Sequence, residues 1–331
     1  MPVHPRAALF ESGDLPVAIP VCDHYSGVEA RMRKSLQLQA ELGPVFDVTL
    51  DCEDGAAVGG EVEHAHLVAE LITSAENKFD RVGVRVHPVD HPAFNKEIET
   101  LCALAGPRIA YVMLPKPRHF ADVKRACDAI DHNIRVLAPF RSFPIHALIE
   151  THGALHDVDA IAAHPRIQSI SFGLMDFVSA HRGAIPASGM SVTGQFEHPL
   201  VVRAKLEIAA ACHAHGKVPS HCVVTEFKDL ERLKTAALKA SREFGYTRMW
   251  SIHPDQIRPI VAAFAPAHDE VEQAAEILLA AQAADWAPIR HRDTLHDRAS
   301  YRYYWHLLQR AQQVGQLPAH AQQAFFEETN P

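Results

Sequence analysis

The chain has 331 residues, of which 47% are apolar and 22% are charged, a composition that suits a folded globular protein. Its formal net charge of −8 argues against a nucleic-acid partner, which would favour a basic surface. The six cysteines form no CxxC pair, and neither a signal peptide nor a membrane-spanning apolar run stands out. We therefore expect a cytoplasmic protein that binds neither nucleic acid nor membrane.

Short apolar runs alternate with amphipathic, helix-prone stretches along most of the chain. Eight such runs predict a parallel α/β fold, and their number favours a closed (β/α)8 TIM barrel. An open doubly wound sheet is the alternative, although no GxGxxG motif follows the first run. The predicted strands cover residues 16–21, 45–51, 81–86, 108–116, 143–150, 167–176, 218–224 and 247–253, and the predicted helices cover residues 29–42, 61–78, 120–130, 201–215, 230–244 and 270–284.

The chain is longer than a barrel requires, because this fold needs only about 250 residues. We expect residues 1–267 to form a catalytic barrel and residues 268–331 to form a C-terminal helical extension. The extension becomes aromatic and basic between Tyr301 and Trp305. Since such an appendage usually covers a barrel face or a neighbouring subunit, we expect it to be a lid or a subunit contact.

Charged residues gather at the carboxyl ends of the predicted strands, where the active sites of these barrels lie. Like charges that converge on one cavity repel each other unless a cation lies among them. The residues at these ends are Asp51, Glu53 and Asp54 on strand two, Arg85 and His87 on strand three, Lys116 on strand four, Glu150 on strand five, Asp176 on strand six and His253 on strand eight.

Magnesium suits this arrangement because it binds one or two carboxylates together with waters and substrate oxygens. We expect Glu150 and Asp176, which end successive strands, to hold Mg²⁺, and Arg85 to bind a carboxylate or enolate oxygen. Other interpretations stay open. Asp176 could cap the next helix, Glu150 with Thr151 could begin one, and Lys116 between two prolines could be an exposed loop residue.

Six short segments, in this order, resemble the HpcH/HpaI aldolase and citrate lyase beta-subunit family. The resemblance extends from about Val45 to Ile260. It lies in DCEDGA (residues 51–56), VRVHP (84–88), MLPK (113–116), LIETHGAL (148–155), FGLMDF (172–177) and SIHPDQI (251–257).

The resemblance implies a magnesium-dependent barrel, commonly oligomeric, that makes or breaks carbon–carbon bonds in hydroxy-oxo acids or citryl, malyl and citramalyl thioesters. We accordingly expect a homo-oligomer with a small carboxylic acid substrate. By motif match, Glu150 and Asp176 are the implied metal ligands, Arg85, Glu53 and Asp54 the implied catalytic residues, and we expect Arg85, Lys116 and His253 to bind substrate.

Some positions depart from the family pattern. His87 stands where the third-strand motif usually has Asn, and His221 stands where strand seven often ends in Asp. The predicted function is a magnesium-dependent carbon–carbon lyase acting on a small 2-hydroxy or 2-oxo carboxylic acid or its coenzyme A thioester. A malyl- or citramalyl-coenzyme A hydrolase with the same metal site and a non-catalytic ligand-binding barrel are the alternatives.

Overall fold

The computed structural model describes residues 3–10, 19–56, 58–137 and 142–327. The chain divides into two compact units, one of Val17–Phe264 and one of Met1–Pro16 with Ala265–Pro331. Within the described ranges, no helix combines the length and the apolar character that crossing a membrane requires. The larger unit ends close to the predicted end of the barrel, while the assignment of residues 1–267 and 268–331 to two domains stays a prediction.

The larger unit contains a closed barrel of eight parallel strands. Each strand pairs with the next one along the chain, and the last strand pairs with the first through Cys22 and Met249. This topology confirms the predicted (β/α)8 fold. The strands are β1 (Cys22–Ser26), β2 (Phe46–Asp51), β3 (Val82–Arg85), β4 (Val112–Leu114), β5 (Ile145–Ile149), β6 (Ile167–Phe172), β7 (Val218–His221) and β8 (Arg248–Ser251).

Helices follow the strands, and the apolar strand faces and helix faces between them are buried. Three 3₁₀ turns cover Gly106–Arg108, Ala187–Met190 and Gly194–Phe196. In chain order the helices are α1 (Pro5–Leu9), α2 (Glu29–Leu42), α3 (Glu61–Thr73), α4 (Phe94–Ala105), α5 (Phe120–Leu137), α6 (His152–His156), α7 (Val158–Ala163), α8 (Leu174–Ala180), α9 (Pro199–Ala214), α10 (Leu230–Glu243), α11 (Pro254–Phe264), α12 (His268–Ala283), α13 (Arg298–Gln313) and α14 (Ala319–Phe325).

Two sequence predictions about these elements are wrong, and some helices were not predicted. The first strand is β1, which begins at Cys22 rather than in the apolar run of residues 16–21, of which 16–18 lie outside the described residues. The prediction failed because β1 buries Asp23 in the barrel and therefore does not form an apolar run. Helix α4 was not predicted, and Asp176 lies in the first turn of α8 rather than at the end of β6.

A buried network of charges lies at the amino-terminal ends of the strands. The guanidinium of Arg248 is completely buried and donates from Nη1 to Asp47 Oδ2 at 2.6 Å, while its Nη2 lies 3.1 Å from Asp23 Oδ2. Asp23 Oδ1 also accepts hydrogen bonds from Thr49 at 2.7 Å and from the Tyr111 hydroxyl at 2.9 Å. Two buried acids thus share one buried arginine, which offsets much of their desolvation.

The aromatic side chain of Tyr111 occupies space that a small residue on β3 leaves open. A Cβ atom at Gly83 would lie only 2.3 Å from the Tyr111 ring, so this strand position requires glycine. On its other side the ring stacks on His146, with 3.8 Å between the ring centroids. The barrel interior is therefore filled by side chains and is not a channel.

The smaller unit has its own apolar core and a short antiparallel hairpin of β9 (Ile289–His291) and β10 (Thr294–His296). Tyr301 and Trp305 of α13 are fully buried in that core, and Tyr301 donates a hydrogen bond to the carbonyl of Ala287 at 2.8 Å. Asp297 caps α13 by accepting from the Ala299 and Ser300 amides. The aromatic segment noted in the sequence therefore contributes to the core of its own unit.

Replacing the buried arginine of the barrel should be costly. In Arg248→Met, Asp23 and Asp47 lose their shared counter-ion in a site without water access, and we expect a loss of about 3–5 kcal/mol in the free energy of unfolding. Urea denaturation followed by circular dichroism measures this loss. Arg232→Met, which removes an exposed pair with Asp229, is the control and should change stability by at most about 0.5 kcal/mol. A loss below about 1 kcal/mol for Arg248→Met would contradict the network's role.

Candidate active site

The carboxyl end of the barrel is organised around the side chain of Arg85, the last residue of β3. Its Nε donates to Asp51 Oδ1 at 2.6 Å, and its Nη2 donates to Asp51 Oδ2 at 2.9 Å, which makes a bidentate pair between neighbouring strands. Arg85 Nη1 lies 3.1 Å from Glu53 Oε2. Burial opposes the charged form of Arg85, yet the contacts with Asp51 outweigh it and raise the Arg85 pKa.

Tyr25 of β1 completes the surroundings of this arginine. Its hydroxyl accepts from Arg85 Nη2 at 2.6 Å and donates to Asp51, and its ring lies beneath the guanidinium at 4.8 Å. The same ring stacks on Trp250 of β8, with 5.7 Å between centroids. Tyr25 and Trp250 were not among the predicted site residues. Tyr25 was missed because the first strand was placed too early in the chain, whereas Trp250 lies in a strand that was predicted. Alternation along the correct β1 and β8 would have directed both inward.

Lys116 contacts the acids that surround the mouth of the barrel. Its Nζ lies 2.6 Å from Glu53 Oε1, 2.6 Å from Asp54 Oδ2 and 4.0 Å from Asp176 Oδ1. Its backbone amide donates to Glu150 Oε1 at 2.7 Å, with the residue in a left-handed conformation (φ +49°). Burial opposes the charge of Lys116, but hydrogen bonds with Asp54 and Glu53 raise its pKa. The structure thus brings Lys116 together with four of the predicted acidic residues.

Glu150 directly follows β5 and is 2% exposed. Burial and then repulsion by Asp176 raise the pKa of Glu150 to about 8. A Cβ atom at Gly173 would lie 2.3 Å from Glu150 Oε2, so only glycine leaves room for this carboxylate. Thr151, not Glu150, accepts from the Ala154 amide and caps α6. A helix does begin after the Glu150–Thr151 pair, but the interpretation that Glu150 itself starts it is wrong, because Thr151 provides the cap.

Asp176 reaches the site from α8 rather than from a strand end. No side chain caps this helix by a hydrogen bond, so the interpretation of Asp176 as a helix cap is also wrong. Its side chain is 46% exposed and approaches Lys116 at the mouth. Because its charge contributes to the raised pKa of Glu150, the two carboxylates lie close enough to repel each other.

One part of the mouth, which meets Arg85 through the ring of Tyr25, is apolar. Met113 of β4, Leu148 of β5 and Trp250 form one buried cluster, against which Tyr25 and Val223 pack. Trp250 Nε1 donates to Ser171 Oγ at 3.1 Å, which satisfies its polar atom. The site therefore has a charged half and an apolar half, as small-molecule sites commonly do.

Two histidines near the mouth have partners other than the acids around Lys116. His253 stacks on Phe227 with 5.0 Å between centroids, and among the contacts of the described residues none joins it to Arg85 or Lys116. Its predicted role in substrate binding stays a prediction. His87, which follows β3, has its Nδ1 2.5 Å from the buried carboxylate of Glu97. This contact connects the segment after β3 with α4. His87 thus has a structural partner.

The acids of the mouth fit a hard divalent cation. Within the described ranges, no group of three or more His, Cys, Asp or Glu side chains is arranged to hold a metal ion. Magnesium needs only one or two carboxylates, since waters and substrate oxygens complete its octahedron. Glu150 and Asp176 supply two mutually repelling carboxylates, and Glu53 Oε2 is a buried acceptor without a hydrogen bond. A cation held by Glu150 and Asp176 would relieve the repulsion between them.

Comparison with known proteins gives consistent matches. Residues 44–254 match the family model described as HpcH/HpaI aldolase/citrate lyase. The chain is 30% identical to an L-malyl-CoA/beta-methylmalyl-CoA lyase from Cereibacter sphaeroides over 255 residues, which cover 72% of this chain and 77% of that one. It is 25% identical to a (3S)-malyl-CoA thioesterase of the same species over 241 residues, which cover 72% and 75% of the two chains.

Solved structures share the fold. A citrate lyase from Burkholderia xenovorans superimposes with a TM-score of 0.86 at 54% identity, and the match covers 98% of this chain and all of that one. The protein CitE from Mycobacterium tuberculosis, crystallised with magnesium, acetoacetate and coenzyme A, superimposes with a TM-score of 0.65 at 22% identity, covering 89% and 99%. The second likeness, at this identity, supports the fold alone.

The raised pKa of Glu150 predicts a pH dependence of stability in metal-free protein. An unperturbed glutamate loses its proton near pH 4.5, whereas folded Glu150 keeps it to about pH 8. The stability that this proton contributes is complete below pH 4.5 and is lost as the pH rises to 8. We expect Glu150→Gln, which cannot ionise, to exceed wild type at pH 8 by up to about 4 kcal/mol in EDTA.

Urea denaturation at pH 5, 6.5 and 8 measures this difference. Glu99→Gln, which alters an exposed glutamate paired with Lys96, is the matched control and should keep the wild-type pH profile. Parallel profiles for wild type and Glu150→Gln would show that Glu150 is already ionised in the folded protein.

Proposed function

Because the chain belongs to the HpcH/HpaI aldolase/citrate lyase family, we propose that it is a magnesium-dependent carbon–carbon lyase whose active site is the acidic mouth of the barrel. Family membership confirms the resemblance seen in the sequence and the prediction of a lyase. The observation that supports this site best is the convergence of Glu150, Asp176, Glu53 and Lys116 beside the buried guanidinium of Arg85.

We propose Glu150 and Asp176 as the metal-binding residues. Both provide hard carboxylate oxygens, and the absence of a side chain at Gly173 leaves room for the Glu150 carboxylate itself. When bound, magnesium supplies positive charge for the carboxylate and hydroxyl oxygens of a hydroxy acid, which is the ordinary Lewis-acid use of this ion. The relative at 30% identity is a malyl-CoA/beta-methylmalyl-CoA lyase, which supports a thioester substrate here. CitE, which shares the fold, was crystallised with magnesium.

Arg85 is proposed to stabilise the charge that develops on the substrate. Asp51 and Tyr25 occupy its Nε and Nη2 donors, whereas Nη1 lies beside Glu53 without forming a hydrogen bond to it. Nη1, whose contact with Glu53 is an ion pair at 3.1 Å, is therefore the nitrogen that we propose binds a carboxylate or enolate oxygen. A guanidinium already fixed by its partners needs no reorganisation when that charge appears.

The proposed reaction cleaves the bond between the hydroxyl-bearing carbon and its neighbour. Asp54, half-exposed at the mouth, takes the hydroxyl proton, the hydroxyl carbon becomes a carbonyl, and the electron pair of the broken bond forms an enolate on the departing fragment. Protonation of that enolate gives the second product. Glu53 positions Arg85 and Lys116, and Lys116 and His253 remain candidates for binding the substrate's anionic groups.

A thioester hydrolase is the second candidate, because the chain also resembles a (3S)-malyl-CoA thioesterase. The lyase is favoured by the higher identity to the malyl-CoA/beta-methylmalyl-CoA lyase. We also propose a cytoplasmic homo-oligomer in which residues 268–331 form a lid or a subunit contact. The six cysteines are all free and buried, which supports a reducing compartment.

Incubating the purified protein with malyl-coenzyme A and magnesium separates the two candidates. We expect a 2-oxo acid and a shorter acyl-coenzyme A, both detected by mass spectrometry and both absent in EDTA. Free malate with free coenzyme A would instead identify a hydrolase. Turnover unaffected by EDTA would contradict the metal-dependent proposal.

Asp176→Asn tests the metal site directly. The amide keeps the size of the side chain but loses its charge, so we expect magnesium binding to weaken by about 10-fold to 100-fold and the lyase activity to fall with it. Isothermal titration calorimetry measures the binding. Asp128→Asn, on an exposed pair with Lys124, is the control and should bind magnesium like wild type. Equal affinities in the two variants would remove Asp176 from the site.

A further inference from the structure

Lys116 is the cation that the acidic mouth already contains. Its ammonium lies 2.6 Å from both Glu53 and Asp54 and 4.0 Å from Asp176, so it neutralises acids on three sides. Its amide holds Glu150 at 2.7 Å. Only Lys116 and Arg85 among the described residues bring cationic groups into direct contact with these acids, and Arg85 is occupied by Asp51 on its other edge.

We propose that Lys116 is an internal counter-ion that competes with the divalent metal and thereby sets a weak metal affinity in the absence of substrate. The inference rests on the proposed function, because it concerns the same acids. An ammonium among carboxylates lowers the negative potential that a metal ion experiences. A bound metal ion must therefore displace the Lys116 ammonium from Asp54 and Asp176, or bind more weakly because the two cations repel each other.

The backbone and the side chain of Lys116 have separate roles in this arrangement. The backbone lies between Pro115 and Pro117 in a left-handed conformation, and its amide is fixed on Glu150. The side chain is 29% exposed and ends on Asp54, whose own side chain is 57% exposed. The ammonium can therefore leave the acids for solvent while the amide continues to position Glu150.

A displaced ammonium would be available to an anionic substrate. Once the acids bind a metal, Lys116 loses its partners at the mouth, and a carboxylate or phosphate of an arriving substrate offers new ones. Metal and anionic substrate should thus bind with positive cooperativity. The metal releases the Lys116 ammonium for the substrate, and the substrate keeps that ammonium away from the acids that bind the metal. Lys116 would thus weaken binding of the metal alone but strengthen binding of metal and substrate together.

The experiment compares wild type with Lys116→Met by titrating MgCl₂ in a calorimeter without substrate. Methionine keeps the backbone amide and a side chain of similar length but removes the charge. We expect Lys116→Met to bind magnesium about 10-fold more tightly than wild type. Lys116→Arg keeps the charge and should bind like wild type, and Lys96→Met, which alters an exposed lysine paired with Glu99, is the surface control.

Thermal unfolding provides a second readout that does not depend on turnover. In EDTA, Lys116→Met should melt below wild type because its acids lack a counter-ion, and magnesium should raise its melting temperature by more than it raises that of wild type. Weaker or unchanged magnesium binding by a folded Lys116→Met would overturn the competition. Absence of magnesium binding by every variant would overturn the proposed function as well, whereas equal binding by all would overturn this inference alone.

Discussion

The bidentate pair between Arg85 and Asp51 is the interaction on which the mouth of the barrel depends. It joins the ends of β2 and β3 and fixes the orientation of a guanidinium that would otherwise be costly to bury. Burial by itself would raise the pKa of Asp51, yet the hydrogen bonds from Arg85 lower it, so this acid stays ionised beside the arginine. The remaining nitrogen of Arg85, Nη1, then lies beside Glu53.

The other groups of the site are positioned relative to this pair. Tyr25 fills the space under the guanidinium, and Glu53 connects the arginine with Lys116, which connects in turn with Glu150 and Asp176. A chain of charge contacts therefore extends across the mouth from β2 to α8. Catalytic groups held in this way are preorganised, because each has a partner that fixes its orientation before substrate arrives.

The sequence was informative where a charged residue ends an apolar run. Arg85 and Glu150 follow short runs of branched side chains, and the barrel rule places both at the mouth, as the structure does. It was less informative at β1, where Asp23 interrupts the apolar pattern. Asp23 is buried there because it pairs with Arg248, which lies more than 200 residues away in the chain. Pairing across such a distance is not visible to local periodicity.

Tyr25 was missed because β1 was not recognised, Trp250 was missed although its strand was predicted, and Asp176 was assigned to the wrong element. The segment from Ile167 to Asp176 reads as one apolar run, but Gly173 ends the strand so that its backbone can approach Glu150. This close approach depends on the tertiary structure. Family motifs supplied the roles of the acids, whereas the geometry supplied the central position of Lys116.

The charge network at the amino-terminal ends of the strands has a consequence for the electric field at the mouth. Asp23 and Asp47 are balanced by Arg248 and by Arg81, which donates to Asp47 Oδ1 at 2.7 Å. Two anions and two cations make this layer electroneutral, so its far field largely cancels. The potential that a ligand meets at the mouth is therefore determined locally, and substitutions there can retune it without disturbing the electrostatic balance that closes the barrel below.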